Sequence, residues 1–591
     1  MDLKKRTASF ISNLESIWAI TWQTDKRLAV TNIVLQIVQS LLPVVSLYFI
    51  KALIESVTDG NSSFDRTLLL ILLFSGVQLL TAMAAQYSGY ISKIHLQKVT
   101  DHLSEKVLHK AIEVDYEYYE NPSYHDTLHL AQQQAIYKAS ALLSSFNSII
   151  LNSTSLLFLT GFFVALHSSF AILFLCMSVP LAIVKWYQGQ SIARQERQLA
   201  PTEREAGYIH NMLTATTSAK EVRTLGFGAF YIGKFRKIRA YIFGERRSLA
   251  AKHARHSLLA ESAEIIVMSI LIILLARSAW EKTITLGTFV VYLQGFQRLQ
   301  SASRNFLQSV VQVLQQNIFL RDLFAFLNIP NVATSTAEQA FPEINKGLFV
   351  DKVSFTYPDA NKYALKDVTL ECRPGSIIAI VGENGSGKST LVKLLARLYK
   401  LQTGSVYIDN AELQSISTSS YNANCNFIFQ DFEKYFLTVE ENIKLGSNEQ
   451  QNDIGRLENA ATLSGAHHFI KRLSKEYKTR LGRYFESSEQ LSGGQWQKLV
   501  LSRIFYKDAQ LIVIDEPTSA LDPISEAEVF KNIKDTLGNK MLILISHRLY
   551  NLKFADMIYV MHEGAIIEQG SFEELKAVNG KFAEMFEAQR L

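Results

Sequence analysis

At 591 residues the chain exceeds one ordinary domain, so two or more are expected. Charged residues make up only 19% and hydrophobic ones 48%, a balance low in charge for a soluble protein, and the apolar excess lies in the first half. The net charge of +5 gives no ground for a nucleic-acid partner, and the three scattered cysteines, Cys176, Cys372 and Cys425, argue against a disulfide framework or a metal-ligand cluster.

The apolar segments come first. Leu28 to Ile50 lies uncharged between Arg27 and Lys51, and Thr67 to Ser92 lies uncharged between Arg66 and Lys93. As a helix, each is long enough to cross about 30 Å of hydrocarbon. Ala139 to Trp186 carries no charge before Lys185, which allows two crossings joined by a tight turn near His167-Ser168-Ser169. Ser257 to Ala276 and Thr283 to Gln297 are weaker signals: Glu261 and Glu264 stand in the first, and Arg298 and Arg304 follow the second. They are read as fifth and sixth spans with charged ends in the cytosol or facing a cavity, the alternative being two buried soluble helices. The expected transmembrane domain is therefore 1–325, all-α, with spans at about 28–50, 67–92, 139–165, 168–187, 257–279 and 283–305. No removable signal peptide is expected, because the first apolar run starts at Leu28, is too long, and lacks a small-residue cleavage site.

The connections set the orientation. Residues 1–27 hold Lys4, Lys5, Arg6, Lys26 and Arg27, and the long loops 93–138 and 187–256 are rich in Lys and Arg. The positive-inside bias places both termini and these loops in the cytoplasm. A span continuing as helix for some 30 residues projects about 45 Å beyond the bilayer. Each loop is interrupted at its far end, at 115–126 with Pro122 and at 221–230 with Gly226 and Gly228. Aromatics so far from a membrane need a partner surface, so both breaks are expected to dock on the second domain. Packing on neighbouring loop helices is the alternative.

Residues 326–345, with Pro330, Pro342 and the polar run 334–339, read as a linker. From 346 to 591 the pattern becomes short β-rich runs and helices, an α/β domain. Its centre is Gly382-Glu383-Asn384-Gly385-Ser386-Gly387-Lys388-Ser389-Thr390, after the apolar run Ile377–Val381 and before the helical Leu391–Ala396. Strand, glycine loop and helix in that order form a phosphate-binding P-loop. Backbone N–H groups of Gly382, Asn384, Gly385, Ser386, Gly387 and Thr390 would cradle phosphate oxygens. Lys388 would reach the β- and γ-phosphates of ATP, and the Ser389 hydroxyl would ligate Mg²⁺. Leu511–Ile514 is an apolar strand ending in Asp515, suited to the Mg²⁺ shell, and Glu516, suited to polarising water. Ser492-Gly493-Gly494-Gln495 is a second glycine turn before a helix. Gln430 and His547 each follow an apolar run, where a strand-end polar group can sense a γ-phosphate or water; an ordinary loop residue is the alternative for each.

These motifs, with Ser519-Ala520-Leu521-Asp522, resemble in order and spacing the ATP-binding-cassette ATPase. With six preceding spans, the whole chain resembles an ABC exporter half-transporter of the type IV fold. The resemblance implies that Tyr357 stacks on adenine, Gln430 contacts Mg²⁺, and His547 holds the γ-phosphate. It also implies that Ser492 and Gly494 contact nucleotide on the other subunit, with Asp522 across the interface. One P-loop and one signature per chain then require a dimer, a homodimer since both motif sets are intact, with a heterodimer as the alternative. The expected role is ATP-driven export across the cytoplasmic (inner) membrane by alternating access, with lipids around the spans. The Ser- and Gln-rich sixth span suits a path for substrate. The continuation Trp496-Gln497-Lys498 resembles lantibiotic-type peptide exporters, which implies a modified-peptide substrate. A lipid or drug exporter, or a regulatory ATPase that does not transport, are the alternatives. Only 27 residues without cysteine precede the first span, so no leader-cleaving peptidase is expected. The stretch Leu481–Gln490 departs from the family's usual pre-signature segment, so that loop's role is in doubt unless Glu486 and Glu489 serve it differently.

Overall fold

The computed structural model describes residues 15, 18–58, 63–120, 136–166, 168–330, 339–358, 360–445, 447, 453–516 and 521–590, in backbone alone at 136–140, 166, 168–182, 193, 314–322, 551 and 590. The chain forms two compact units, Met1–Ile112 with Pro122–Ile329, and Glu113–Asn121 with Pro330–Leu591.

Among the described residues, six long helices build the first unit: α1 (Lys26–Thr58), α2 (Phe64–Glu113), α3 (Ile136–Leu166), α4 (Ser168–Thr214), α5 (Gly228–Trp280) and α6 (Leu286–Leu327). Among the described residues, α1, α2, α5 and the Ala141–Ala165 part of α3 are apolar enough to cross a membrane. Helices α4 and α6 stand where the fourth and sixth spans are expected. The most apolar window of α2 buries nothing inside the chain, as a lipid-facing helix would. Helix packing requires a small residue where α6 meets α3: a Cβ on Gly295 would fall 2.3 Å from Phe163 Cζ. The Phe163 ring instead stacks on Phe296 at 5.2 Å, in a cluster with Leu47, Leu275 and Val291.

Several polar groups in this unit are joined across helices, although Gln36 Oε1 and Arg304 Nε are buried without a hydrogen-bond partner. Gln36 donates to Asn32 (3.2 Å), Asn32 to Asn147 (3.1 Å) and Asn147 to Ser92 (2.9 Å), linking α1, α3 and α2. Arg304 pairs with the buried Glu264 at 2.9 Å. Arg298 donates to the Pro43 carbonyl at 2.6 Å beside a cavity of about 290 Å³ lined by Ser40, Gln78, Asn152, Ser301 and Asn305 among others. Hydroxyls and amides at membrane depth are costly unless partnered or wet, so the polar lining suits a water-filled cavity.

The described residues of the second unit form two sheets. One is antiparallel, in the order β2-β1-β4-β5: β1 (Leu348–Phe355), β2 (Leu365–Cys372), β4 (Thr403–Ile408), β5 (Ala411–Glu412). The other runs β10-β9-β3-β8-β7-β6, with β3 (Ile377–Gly382), β6 (Cys425–Ile428), β7 (Leu511–Asp515), β8 (Met541–Ile545), β9 (Met557–His562) and β10 (Ala565–Gly570). Strands β9, β3, β8, β7 and β6 pair in parallel, and only β10 is antiparallel. Strands β3, β7 and β8 are buried at every position, which is why their sequences are unbroken apolar runs rather than alternating ones. Helices used below are α7 (Lys388–Leu395), α8 (Gly493–Tyr506), α9 (Pro523–Thr536) and α10 (Lys581–Arg590).

The two loop breaks differ. Residues 113–120 belong to the second unit, as a short helix Tyr116–Glu120. Glu120 accepts hydrogen bonds from Lys393 (2.6 Å) and from the Tyr399 hydroxyl, Asp115 pairs with Lys400 (3.3 Å), and the Tyr116 ring meets Tyr399 edge-on. This is the docking expected of the first break. Residues 121–126 of it lie outside the described residues. The second break belongs to the first unit, as a short helix Ala219–Thr224, with Leu225 and Phe230 exposed. Residues 331–338 of the expected linker also lie outside the described residues.

Candidate nucleotide site

The carboxyl ends of β3, β6, β7 and β8 all point to one edge of the parallel sheet, where such sheets bind ligands. Each expected strand-end residue lies there. A cavity of about 570 Å³ is lined by Tyr357, Ala364, Asn384, Gly385, Gly387, Lys388, Ser389, Thr390, Gln430, Glu516 and His547.

The P-loop needs its glycines for space as well as for rotation. Gly387 has φ +104°, and a Cβ there would lie 2.7 Å from the Ala364 carbonyl oxygen. Gly382 leads the chain past Met561, whose carbonyl oxygen lies 2.2 Å from where a Cβ would be. The buried Lys388 ammonium donates to the carbonyls of Gly382 and Glu383 (2.8 Å each) and reaches the Ser386 hydroxyl at 3.3 Å, so it is held on the loop's own axis. Burial pulls its pKa down, and Glu516 and Asp515 oppose that pull.

Asp515 ends β7 and hydrogen-bonds Ser389. Burial raises its pKa to about 6, helped by the neighbouring Glu516 charge and resisted by Ser389 and Lys388. Its Oδ1 is buried without a hydrogen-bond partner. A buried carboxylate oxygen with a spare lone pair beside a serine hydroxyl is the donor set a hard divalent cation takes, so these residues fit Mg²⁺.

At Glu516 the chain leaves the strand in a left-handed turn, φ +47°. This is uncommon for a non-glycine residue and marks a backbone held by its surroundings. Its N–H bonds Ile545 O at 3.0 Å, and its carboxylate accepts from Gln430 Nε2 at 2.7 Å and faces His547 Nε2 at 2.5 Å. Burial and the Lys388 charge lower the His547 pKa, and Glu516 opposes them. Tyr357 hydrogen-bonds Thr390 at 3.1 Å and packs edge-on to Phe355 and Tyr399.

Ser492, Gly493, Gly494 and Gln495 do not line this cavity. They open α8, where Ser492 Oγ accepts from Gln495 N and the Gln495 side chain accepts from Ser492 N, a reciprocal cap. Asp522 caps α9. Ser519 and Ala520 lie outside the described residues. In the atypical stretch before the signature, Glu489 accepts from Ser474 N (2.8 Å) and Arg480 lies 3.5 Å from the Phe485 ring centroid. Glu489 is thus a loop brace. Two contributors had no local sequence signal: Ala364, which lines the site because Gly387 packs against it, and Lys393, which joins Tyr357 to Glu120.

Comparison with known proteins agrees with this geometry. The family description "ABC transporter transmembrane region" matches residues 30–303, and "ABC transporter" matches 365–519. The nisin transport ATP-binding protein NisT of Lactococcus lactis subsp. lactis is 30% identical over 571 residues, 95% of this chain and 94% of that protein. The chain belongs to the ABC transporter family. The subtilin transport ATP-binding protein SpaT of Bacillus subtilis is 27% identical to the transporter over 589 residues, all of this chain and 96% of that one. An ATP-dependent lipid A-core flippase of Methylobacillus flagellatus is 26% identical over 549 residues, 91% of each chain. A solved bacterial Atm1-family ABC exporter with ATP bound shares the fold, with a TM-score of 0.79 and 20% identity over 96% of this chain and 99% of that one. The transporter is therefore a multi-pass membrane protein that binds ATP and couples its hydrolysis to export, with a helical membrane domain followed by an α/β ATPase domain.

Proposed function

We propose that the transporter exports a modified peptide, and that it works as a homodimer whose two nucleotide sites each combine the P-loop of one copy with the Ser492–Gln495 turn of the other. The observation that carries the dimer is the division of the site: P-loop, Glu516, Gln430 and His547 share one cavity, while the signature turn stands outside it. The peptide substrate is supported by the two relatives named for nisin and subtilin transport, matched over nearly their whole length. A lipid substrate is the second reading, supported by the lipid A-core flippase relative.

In this reading all six long helices cross the membrane, and residues 1–325, 326–345 and 346–591 are the membrane domain, linker and ATPase. Both termini lie in the cytoplasm. Tyr357 stacks on adenine, since an aromatic face beside a phosphate cradle takes a base by its π-surface. The loop N–H groups and Lys388 hold the phosphates, for which Lys388 exchanges its carbonyl partners. Ser389, Asp515 and Gln430 would hold Mg²⁺, which neutralises charge on the phosphate oxygens. Glu516 orients and polarises the attacking water, and His547, braced by Glu516, donates to the γ-phosphate. ATP drives the cycle only by binding the closed dimer better than the open one. The polar cavity beside Arg298 lies on the substrate path.

Reconstitution in liposomes tests the substrate. ATP-dependent accumulation of a modified peptide, with peptide-stimulated ATPase that lipids and small drugs do not reproduce, is expected. Stimulation and movement of lipid alone would replace the peptide reading with the second one.

A further inference from the structure

The C-terminal helix α10 touches the nucleotide site at both of its ends. At its start, Lys581 Nζ lies 2.9 Å from Glu383 Oε1, and Glu383 is one of the two P-loop residues whose carbonyls accept from Lys388 Nζ. The helix start is itself fixed. The Glu568 carboxylate accepts from Lys581 N (2.5 Å) and Phe582 N (3.0 Å), and a Cβ on Gly580 would fall 2.3 Å from Glu568 Oε1. Phe582 is fully buried against Phe572, so the helix cannot drift as a free tail. At its far end the Gln589 side chain makes a two-point pairing with backbone. Its amide nitrogen donates to the His547 carbonyl, and its amide oxygen accepts from Leu549 N at 3.0 Å. A planar amide that both gives and takes a hydrogen bond across one dipeptide fixes that dipeptide's position and its rotation, as a neighbouring strand would.

No strand performs this task at 547–549. Strand β8 ends at Ile545, and a 3₁₀ turn begins at Leu549. Besides Gln589, the backbone here is held by the Ser546 hydroxyl, which accepts from Arg548 N at 3.0 Å. The Arg548 side chain pairs with the buried Glu526 at 2.6 Å, and the Leu549 side chain is buried. These contacts anchor the side chains that follow and leave the His547 carbonyl to Gln589. The His547 ring, projecting from this short bridge, has to meet Glu516 Oε1 at 2.5 Å.

We propose that Gln589 is a positioning residue for ATP hydrolysis: by pinning the backbone at 547 and 549 it sets the reach of His547 toward Glu516 and the phosphate cavity. This rests on the reading of His547 as a catalytic group. Gln589 touches neither nucleotide nor water and acts only through His547.

The test uses the full-length transporter in liposomes. Gln589→Ala should lower kcat for ATP by about tenfold, the scale of a sub-ångström misplacement, with KM changed less than about twofold. Gln589→Glu keeps the acceptor for Leu549 N but loses the donor to the His547 carbonyl, and should fall between wild type and Ala. In a His547→Ala background, with residual turnover read at high protein concentration, Gln589→Ala should cost less than about twofold, because residues acting through one group are not additive. A full independent loss in that background, a raised KM with kcat unchanged, or a lowered unfolding temperature that accounts for the loss would overturn the proposal. An inactive His547→Ala beside a normal Gln589→Ala would sink the positioning role alone. A normal His547→Ala would remove the His547 reading and this proposal with it.

Discussion

At the scale of single residues, the site is built from oxygen and nitrogen atoms that the fold holds within hydrogen-bond reach of one another. Glu516 is the clearest case. Its left-handed backbone turns a strand-end carboxylate out between Gln430 and His547. Glu516→Gln keeps the shape and one acceptor oxygen but loses the charge proposed to polarise water. Hydrolysis should drop by about 10²-fold or more while ATP binding persists, the range expected for removing a general base. Turnover equal to wild type in a single-turnover assay would defeat the assignment. Gly387 offers a second residue-scale prediction. With φ +104° and the Ala364 carbonyl 2.7 Å from its missing Cβ, Gly387→Ala carries both strain and a backbone clash. A cost of about 1–3 kcal/mol is expected, seen as a lower unfolding temperature and weaker ATP binding. The motifs at these positions were legible in sequence because each is contiguous, and the backbone that shapes the P-loop is local. Gln430 and His547 were legible only as polar residues after apolar runs. That they meet one carboxylate is a fact of parallel strand register, in which Ile428 pairs with Ile514 and Asp515 with Ile545.

At the scale of elements, the short helix Tyr116–Glu120 joins the end of α2 to the ATPase unit. Glu120 meets Lys393 and Tyr399, and both of these lean on Tyr357, the proposed base-stacking residue. Burial raises the Glu120 pKa, but the hydrogen bonds from Lys393 and Tyr399 outweigh it and hold the value below the usual 4.5. A lowered folded value means that the contact stabilises the charged form. Its contribution is complete above about 4.5 and is lost as pH falls through the lower, folded value. Glu120→Gln should mimic that loss at neutral pH. The pair is about one-third exposed, so the cost to stability should be only about 1 kcal/mol. The larger effect should be on coupling: hydrogen exchange at 113–120 should rise, and substrate should stimulate ATPase less. Undiminished stimulation would show that the contact is structural only. The break at 115–126 was visible in sequence as Pro122 and a run of tyrosines, but its partner, Lys393 on α7, was not. In sequence Lys393 is one residue of the helical Leu391–Ala396 stretch, with nothing local to point to Glu120.

At the scale of the molecule, the prediction concerns two copies. Lys388→Ala removes the P-loop function of a copy but leaves its signature, and Ser492→Arg does the reverse. Each variant alone should be nearly inactive. Co-expressed, they should form mixed dimers with one intact composite site and regain a clear fraction of ATPase activity. No recovery in isolated mixed dimers would mean that Ser492 serves its own chain. Such a result would end the proposed sharing, which rests on the signature turn standing outside its own chain's cavity.

Sequence by itself determined the class of this protein. Hydropathy reads out lipid-crossing length because a bilayer accepts little else, and the P-loop reads out nucleotide chemistry because its geometry is local. It also placed the first docking break, since tyrosines and a proline far from the membrane need an explanation. Only the tertiary structure decided which side chains meet. Sheet register gathered Gln430, Glu516 and His547 from three separate strand ends. A side chain near the C-terminal end, Gln589, came to hold the backbone of His547. These contacts join positions tens of residues apart through packing, and packing leaves no periodic or contiguous mark in the chain.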